Sequence, residues 1–420
     1  MSPKKSKVFY GYWIVAACFF CALVDASGYY CFSLFITPLQ TDFGWGRGEI
    51  MAALSIRLLA SAVVSPFAGR LVDRYGAKRV LVIGAIITGL GFILISLTNN
   101  LWYLYLGWGI AGAGVAASGI LPATAVVSNW FKKRRGTAIG IMSTGFGAAG
   151  VVSPFIGGYI IPNFGWRGGY FTLALLMWAI IPLVLLVVRS KPADMGLYPD
   201  GVEAPEAVAV TEASLSTSKG LTLKMALATA SFWLIGISFL LANMAETGIT
   251  QTQVPYFEDI GVPTAIAATT LAVVGIWSAI GKFAFGWLCD HMQAKYARAI
   301  GIGFLLASVI MIMSIGPASS LAIIWLYAII RGFGFGSWAA TMSMLVSTNF
   351  GLTSYGIIFG MIALLNSVGG SVSPLFAGYM YDTMGTYHWA FIVFIILAVV
   401  AMPLILAVRR PKSLQNFKGE

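Results

Sequence analysis

The chain reads as an all-α polytopic membrane protein, with twelve transmembrane helices arranged as two pseudo-symmetric six-helix bundles. Three observations predict this. Hydrophobic residues make up 59% of the 420 positions and charged residues only 10%, a balance that does not keep a large chain dissolved in water. Apolar runs of about 20 residues, the length needed to cross a bilayer, recur twelve times between charges, prolines and turn residues. Two pairs of segments also repeat at a spacing of about half the chain.

The expected spans lie near residues 12–38, 50–72, 79–98, 101–127, 136–160, 168–188, 228–254, 265–289, 299–315, 321–346, 355–379 and 389–407. The first follows Lys4, Lys5 and Lys7. It is long and aromatic and lacks a small-residue cleavage site, so it is expected to stay as an anchor rather than be removed as a signal peptide. Between the sixth and seventh spans the chain turns polar and rich in Pro, Glu, Ser and Thr, which predicts a linker. The expected organisation is an N-terminal tail (1–11), a six-helix bundle (12–189), the linker (190–222), a second six-helix bundle (223–408) and a C-terminal tail (409–420).

The duplication is visible in two places. GRLVDRYGAKR (Gly69 to Arg79) follows the second span and GWLCDHMQAKYAR (Gly286 to Arg298) the eighth, which makes Asp73 and Asp290 equivalent at an offset of 217. GIMSTGFGAAGVVSPFIGGYI (Gly140 to Ile160) matches GMIALLNSVGGSVSPLFAGYM (Gly360 to Met380) at a constant offset of 220. These copies fall in the fifth and eleventh spans, as two six-helix halves require.

Twelve spans put both termini on one side of the membrane. That side holds Lys4, Lys5, Lys7, Lys132 to Arg135, Arg189, Lys191, Arg409, Arg410 and Lys412, whereas the opposite loops hold Arg47 and Arg167. Basic residues concentrate in short cytoplasmic loops, so both termini are expected in the cytoplasm. The formal charge of +11 then reflects topology and anionic headgroups and calls for no nucleic-acid partner. The four cysteines, Cys18, Cys21, Cys31 and Cys289, lie in or beside apolar helices and read as small hydrophobes. The two histidines, His291 and His388, flank helix ends. Neither set forms a metal-ligand pattern, and no nucleophile or paired-acid constellation suggests an enzyme, so no metal and no cofactor are expected.

Charges inside the spans carry the functional signal. Lys282 lies near the middle of the apolar run from Ala265 to Cys289, eight residues before Asp290. A cation at such depth costs roughly 2.5 to 3.5 kcal/mol on insertion scales, so it is expected to face a cavity and meet a partner or an anionic ligand. Asp25 and Glu246 read as the acids well inside helices, and Arg57, Arg331 and Lys282 as the bases. The excess positive charge suits an organic anion. For Arg57 a static salt-bridge network outweighs ligand contact. Arg331 has three readings: support of gating, a pair with Glu246, or direct ligand contact. Asn243, Glu246, Thr250 and Gln253 are spaced by three, four and three residues, which places them on one helix face. That face is expected to line a water-filled path, with polar contacts between helices as the alternative. Glu246, and after it Asp25, are the expected proton carriers.

GRLVDRYGAKR resembles the loop motif of the major facilitator superfamily. FGWGRGEI (Phe43 to Ile50), WFKKRRGTAIGI (Trp130 to Ile141) and the Gly/Ser/Pro-rich eleventh span further resemble the bacterial monocarboxylate transporters and the oxalate/formate antiporters. The resemblance covers nearly the whole chain. It implies gating roles for Gly69, Asp73, Arg74, Gly286 and Asp290. Lys282 stands where the antiporters carry a substrate-binding arginine, and Asn366 where they carry a second cation, which favours a monoanion over a dianion. Ser278 stands where the monocarboxylate transporters carry an aspartate, so their proton relay is incomplete here. Tyr29, Tyr30 and Trp338 align with side chains of the substrate cavity.

The function expected from the sequence is secondary active transport of small monocarboxylates by alternating access, coupled to protons. A monomer suffices for it, in a bacterial inner membrane. Exchange of organic anions of the oxalate/formate kind is the rival reading, followed by export of drugs or cations. A receptor role would need a larger signalling extension than these tails and linker supply.

Overall fold

Every regular element in the computed structural model is a helix, and among the residues it describes, 9–131, 135–201, 221–317, 319–351 and 354–409, no strand occurs. Lys4, Lys5, Lys7, Lys132, Lys133, Arg134, Arg410, Lys412 and most of the linker lie outside the described residues, as does the side chain of Asp73.

Eleven of the described helices are long and apolar enough to cross a membrane. One of them, Thr137–Val187, runs for 51 residues, about 75 Å at a rise of 1.5 Å per residue and more than twice a hydrocarbon core of about 30 Å. The backbone breaks within it at Gly165 (φ 70°, ψ 176°), so it supplies both the fifth and the sixth crossing. The twelve helices are α1 (Gly11–Phe43), α2 (Arg47–Tyr75), α3 (Ala77–Ser96), α4 (Leu101–Trp130), α5 (135–164), α6 (166–187), α7 (Ala230–Asp259), α8 (Thr264–His291), α9 (Ala294–Ser314), α10 (Leu321–Phe350), α11 (Tyr355–Met384) and α12 (His388–Leu406).

The helix ends follow from local chemistry. Gly44 ends α1 in the left-handed conformation and donates its N–H to the Gln40 carbonyl, as glycine does where a side chain would be strained. Asn100 caps α4 by accepting from the Tyr103 N–H, and Thr229 caps α7 by accepting from that of Phe232. One long helix breaks midway, α4 at Gly119 (φ −82°, ψ −153°). In α10 the backbone at Gly336 stays right-handed helical (φ −62°, ψ −20°) between Leu321–Phe335 and Ser337–Phe350.

The helices form two compact units, whose described residues belong to Met1–Tyr29, Ala60–Ala149 and Arg167–Ser216 in one and to Tyr30–Leu59, Gly150–Trp166 and Thr217–Glu420 in the other. The boundaries cut α1, α2 and α5 in mid-helix. The far part of α1, the start of α2 and the end of α5 therefore pack with α7–α12. In the first unit, small residues let α3 and α4 approach backbone to backbone: a Cβ at Gly91 would stand 2.7 Å from the Ala111 nitrogen. Ile14, Cys18, Val127, Trp130, Met142 and Val184 fill its interior. In the second unit, a Cβ at Gly378 on α11 would stand 2.5 Å from the Gly48 Cα on α2. Larger side chains at either position would push these helices apart.

Candidate functional site

Lys282 is half-buried on α8. Its neighbour Gly281 packs on the Phe333 carbonyl of α10, and a Cβ at Gly336 would stand 2.5 Å from the Lys282 nitrogen. Gly336 of α10 therefore lies against the backbone of α8 at the lysine. Two residues on, Trp338 donates its indole N–H to Asn366 Oδ1 (3.1 Å), and Asn243 donates to the Asn366 carbonyl (2.7 Å). With its side-chain oxygen engaged, Asn366 keeps an amide NH2 that can donate to a ligand oxygen. Helices α7, α10 and α11 are thus joined through Asn243, Asn366 and Trp338, with the Lys282 backbone against Gly336 of the same α10.

A second polar cluster lies deeper in the same unit. Glu246 is 1% exposed, Arg298 0% and Arg331 1%. Arg298 Nη1 approaches Glu246 Oε1 at 3.3 Å and donates to Ser337 Oγ at 2.9 Å. Arg331 Nη2 donates to the Glu246 main-chain carbonyl (2.6 Å) and to Thr250 Oγ1 (2.9 Å). Tyr327 donates to Gln253 Oε1 at 2.8 Å. Phe239 lies under the Arg298 guanidinium at 4.5 Å, and Phe335 is 5.3 Å from that of Arg331. Three members of the α7 polar face, Glu246, Thr250 and Gln253, thus join α7 to α9 and α10 rather than lining a wet path. The spacing of three, four and three fixes their shared face, but the neighbour of that face is a tertiary matter. Arg298 is the residue that reading the sequence missed. It follows closely on the α8–α9 loop and counted there as a loop cation, yet it is wholly buried and takes the carboxylate contact considered for Arg331.

The remaining candidates are dispersed. Tyr30 is buried in the second unit, while Tyr29 belongs to the first and lies 6.3 Å from the Phe146 ring. Asp25, also in the first unit, accepts from Ser118 Oγ at 3.0 Å beside the break in α4. At the motif loops, a Cβ on Gly69 or on Gly286 would meet nothing within 4 Å. Arg74 is exposed beside the Tyr75 ring, and Asp290 lines a cavity of about 730 Å³ together with Lys295 and Arg409.

The opposite end of the second unit is tightly held by Arg47, inside the FGWGRGEI string, and by acids the sequence did not single out. Arg47 grips Asp259 with two parallel bonds, Nη1 to Oδ2 at 2.7 Å and Nη2 to Oδ1 at 2.6 Å. Its Nε donates to Gln40, its Nη1 also donates to the Tyr387 hydroxyl at 3.2 Å, and its guanidinium stacks 3.9 Å from the Tyr381 ring. Asp382 caps α2 by accepting from the Arg47 and Gly48 N–H groups at 2.8 and 2.7 Å. Thr37 and Thr264 both donate to Glu258. Arg47 had registered as a loop charge and as part of FGWGRGEI, but no pattern in the sequence links it to residues more than two hundred positions away.

Comparison with known proteins agrees with this architecture. The chain is 25% identical to monocarboxylate transporter 12 of Mus musculus over 399 residues, covering 91% of this chain and 82% of that protein. It is 25% identical to monocarboxylate transporter 13 of Bos taurus over 387 residues (91% and 86%) and 27% identical to monocarboxylate transporter 11 of Mus musculus over 390 (91% and 83%). Its fold matches the crystal structure of a bacterial homolog of the human lysosomal transporter Spinster, in an inward-facing and occupied conformation, with a TM-score of 0.74. That match has 15% identity and covers 96% of this chain and 98% of the other. The family profile of the Major Facilitator Superfamily matches residues 18–374, and the chain, a multi-pass membrane transporter rather than an enzyme, belongs to that superfamily.

Proposed function

We propose that this transporter carries small monocarboxylates by alternating access, with Lys282 as the cation that receives the carboxylate and with proton coupling. The observation that carries the reading is a lysine inside a span, where a charge is costly and calls for a cavity and a partner or an anionic ligand. Its backbone lies against Gly336 of α10, two residues before the hydrogen-bonded Trp338 and its partner Asn366. Asn366 offers a neutral amide where a second cation would suit a dianion, and the names of the relatives point to the same substrate class. Tyr29 and Tyr30 remain candidates for ligand contact, and Asp25 and Glu246 for the proton.

Alternating access is supported by membership of the superfamily, and a clasp at Arg47 holds one end of the second unit. Gly69, Asp73, Arg74, Gly286 and Asp290 engage when the carrier turns over.

Exchange of one organic anion for another is the second reading. An unloaded carrier keeps excess positive charge within its spans, and that charge opposes reorientation until an anion is bound. Uptake into liposomes separates the two. Under symport, an inward proton gradient drives accumulation of labelled monocarboxylate into liposomes that contain no substrate. If only internal anion drives uptake, proton coupling is wrong and exchange stands. If carboxylates are not carried while labelled organic cations are, the substrate class itself is wrong.

A further inference from the structure

We propose a second anion site, separate from Lys282, in which Arg298 and Arg331 bind a small inorganic anion such as chloride inside the bundle of α7, α9 and α10. The inference starts from charge. Among the buried described residues of α7 to α12, Glu246 is the one acid, against Arg298 and Arg331. A carboxylate at Lys282 leaves the deeper pair of arginines facing one glutamate. A guanidinium cannot shed its proton in a protein, so a net positive charge is held where solvent does not reach, which is costly unless an anion balances it.

Hydrogen bonding points to the same place. Arg298 Nε and Nη2 and Arg331 Nε and Nη1 are buried and have no hydrogen-bond partner among the described residues, and the same holds for the Gln253 amide nitrogen and for Glu246 Oε2. Five of these six atoms are donors, against one carboxylate oxygen. Both guanidinium groups are tethered to one residue, Arg298 to the carboxylate of Glu246 and Arg331 to its carbonyl, so both flank Glu246. Phe239 and Phe335 cover the two groups with apolar rings. Near-complete burial of both arginines favours an ion of one or a few atoms over an organic acid. Water could satisfy the donors but would leave the charge unbalanced. This site does not depend on the monocarboxylate reading.

The test is binding of radiolabelled chloride to the purified transporter at fixed ionic strength, with isethionate as the replacement anion. Saturable binding near one per chain is expected. It should persist in Lys282→Ala and weaken by about tenfold or more in Arg298→Gln and in Arg331→Gln. The proposal is overturned if wild-type protein shows no saturable binding, if both arginine substitutions leave binding unchanged, or if Lys282→Ala or excess small carboxylate abolishes it. Should the glutamine variants fail to fold, anomalous diffraction from wild-type crystals soaked in bromide decides. A peak within hydrogen-bond distance of both guanidinium groups supports the site, and its absence overturns it. Loss of carboxylate binding with chloride binding intact would count against the proposed substrate and leave this site standing.

Discussion

At the scale of single residues, Lys282 and Glu246 are both ionisable groups within spans, yet opposite outcomes are expected from neutralising them. Replacing Lys282 with alanine removes a charge whose insertion costs roughly 2.5 to 3.5 kcal/mol. Carboxylate binding by calorimetry should fall below detection with the protein still folded. Unchanged binding would remove Lys282 from the site. Replacing Glu246 with glutamine instead strands Arg298, which approaches its carboxylate at 3.3 Å with neither residue more than 1% exposed. Breaking one side of a buried pair costs about 3 to 5 kcal/mol, so thermal unfolding should fall sharply. The double variant Glu246→Gln/Arg298→Gln should recover part of that loss; strict additivity would show that the two do not act as a pair.

At the scale of elements, the start of α2 is the part under strongest constraint. Asp259 at the end of α7, Asp382 at the end of α11 and Tyr387 before α12 converge on Arg47 and its N–H. Releasing the clasp with Arg47→Ala should raise the fraction of time this end is open. A single cysteine at Thr37, in a background lacking Cys18, Cys21, Cys31 and Cys289, should then react faster with a water-soluble maleimide. Equal rates would mean that the clasp is not a gate. Gly378→Val should act in the same direction by steric means, because a Cβ there already stands 2.5 Å from Gly48. Folded protein with little uptake is expected, and normal uptake would show that α2 and α11 need not close this tightly.

At the scale of the whole molecule, the pH dependence of transport separates function from stability. Burial pushes the Tyr387 phenol above its ordinary value near 10. A raised value in the folded state stabilises the fold below about pH 10, and that contribution is lost as pH climbs further. Clasp chemistry at Tyr387 is therefore constant from pH 5 to 9. A change in uptake across that range with unchanged unfolding temperature would assign the titration to a group on the transport path. Parallel changes in both would assign it to folding.

Composition, run length and the duplicated segments were enough to read twelve helical crossings from the chain, because a bilayer forces backbone bonds to be satisfied within each segment and leaves that requirement written locally. Lys282 was legible for the same reason, since a charge in an apolar run is anomalous wherever the run packs. What the sequence by itself could not decide was partnership. Arg298 looked like a loop charge, Arg47 like a topology marker, and the α7 polar face like the wall of a channel. Only the tertiary structure placed Arg298 on Glu246, closed Arg47 on Asp259 and turned Glu246, Thr250 and Gln253 towards α9 and α10. Periodicity records which side chains share a face, whereas the meeting of faces from distant segments depends on how whole helices pack.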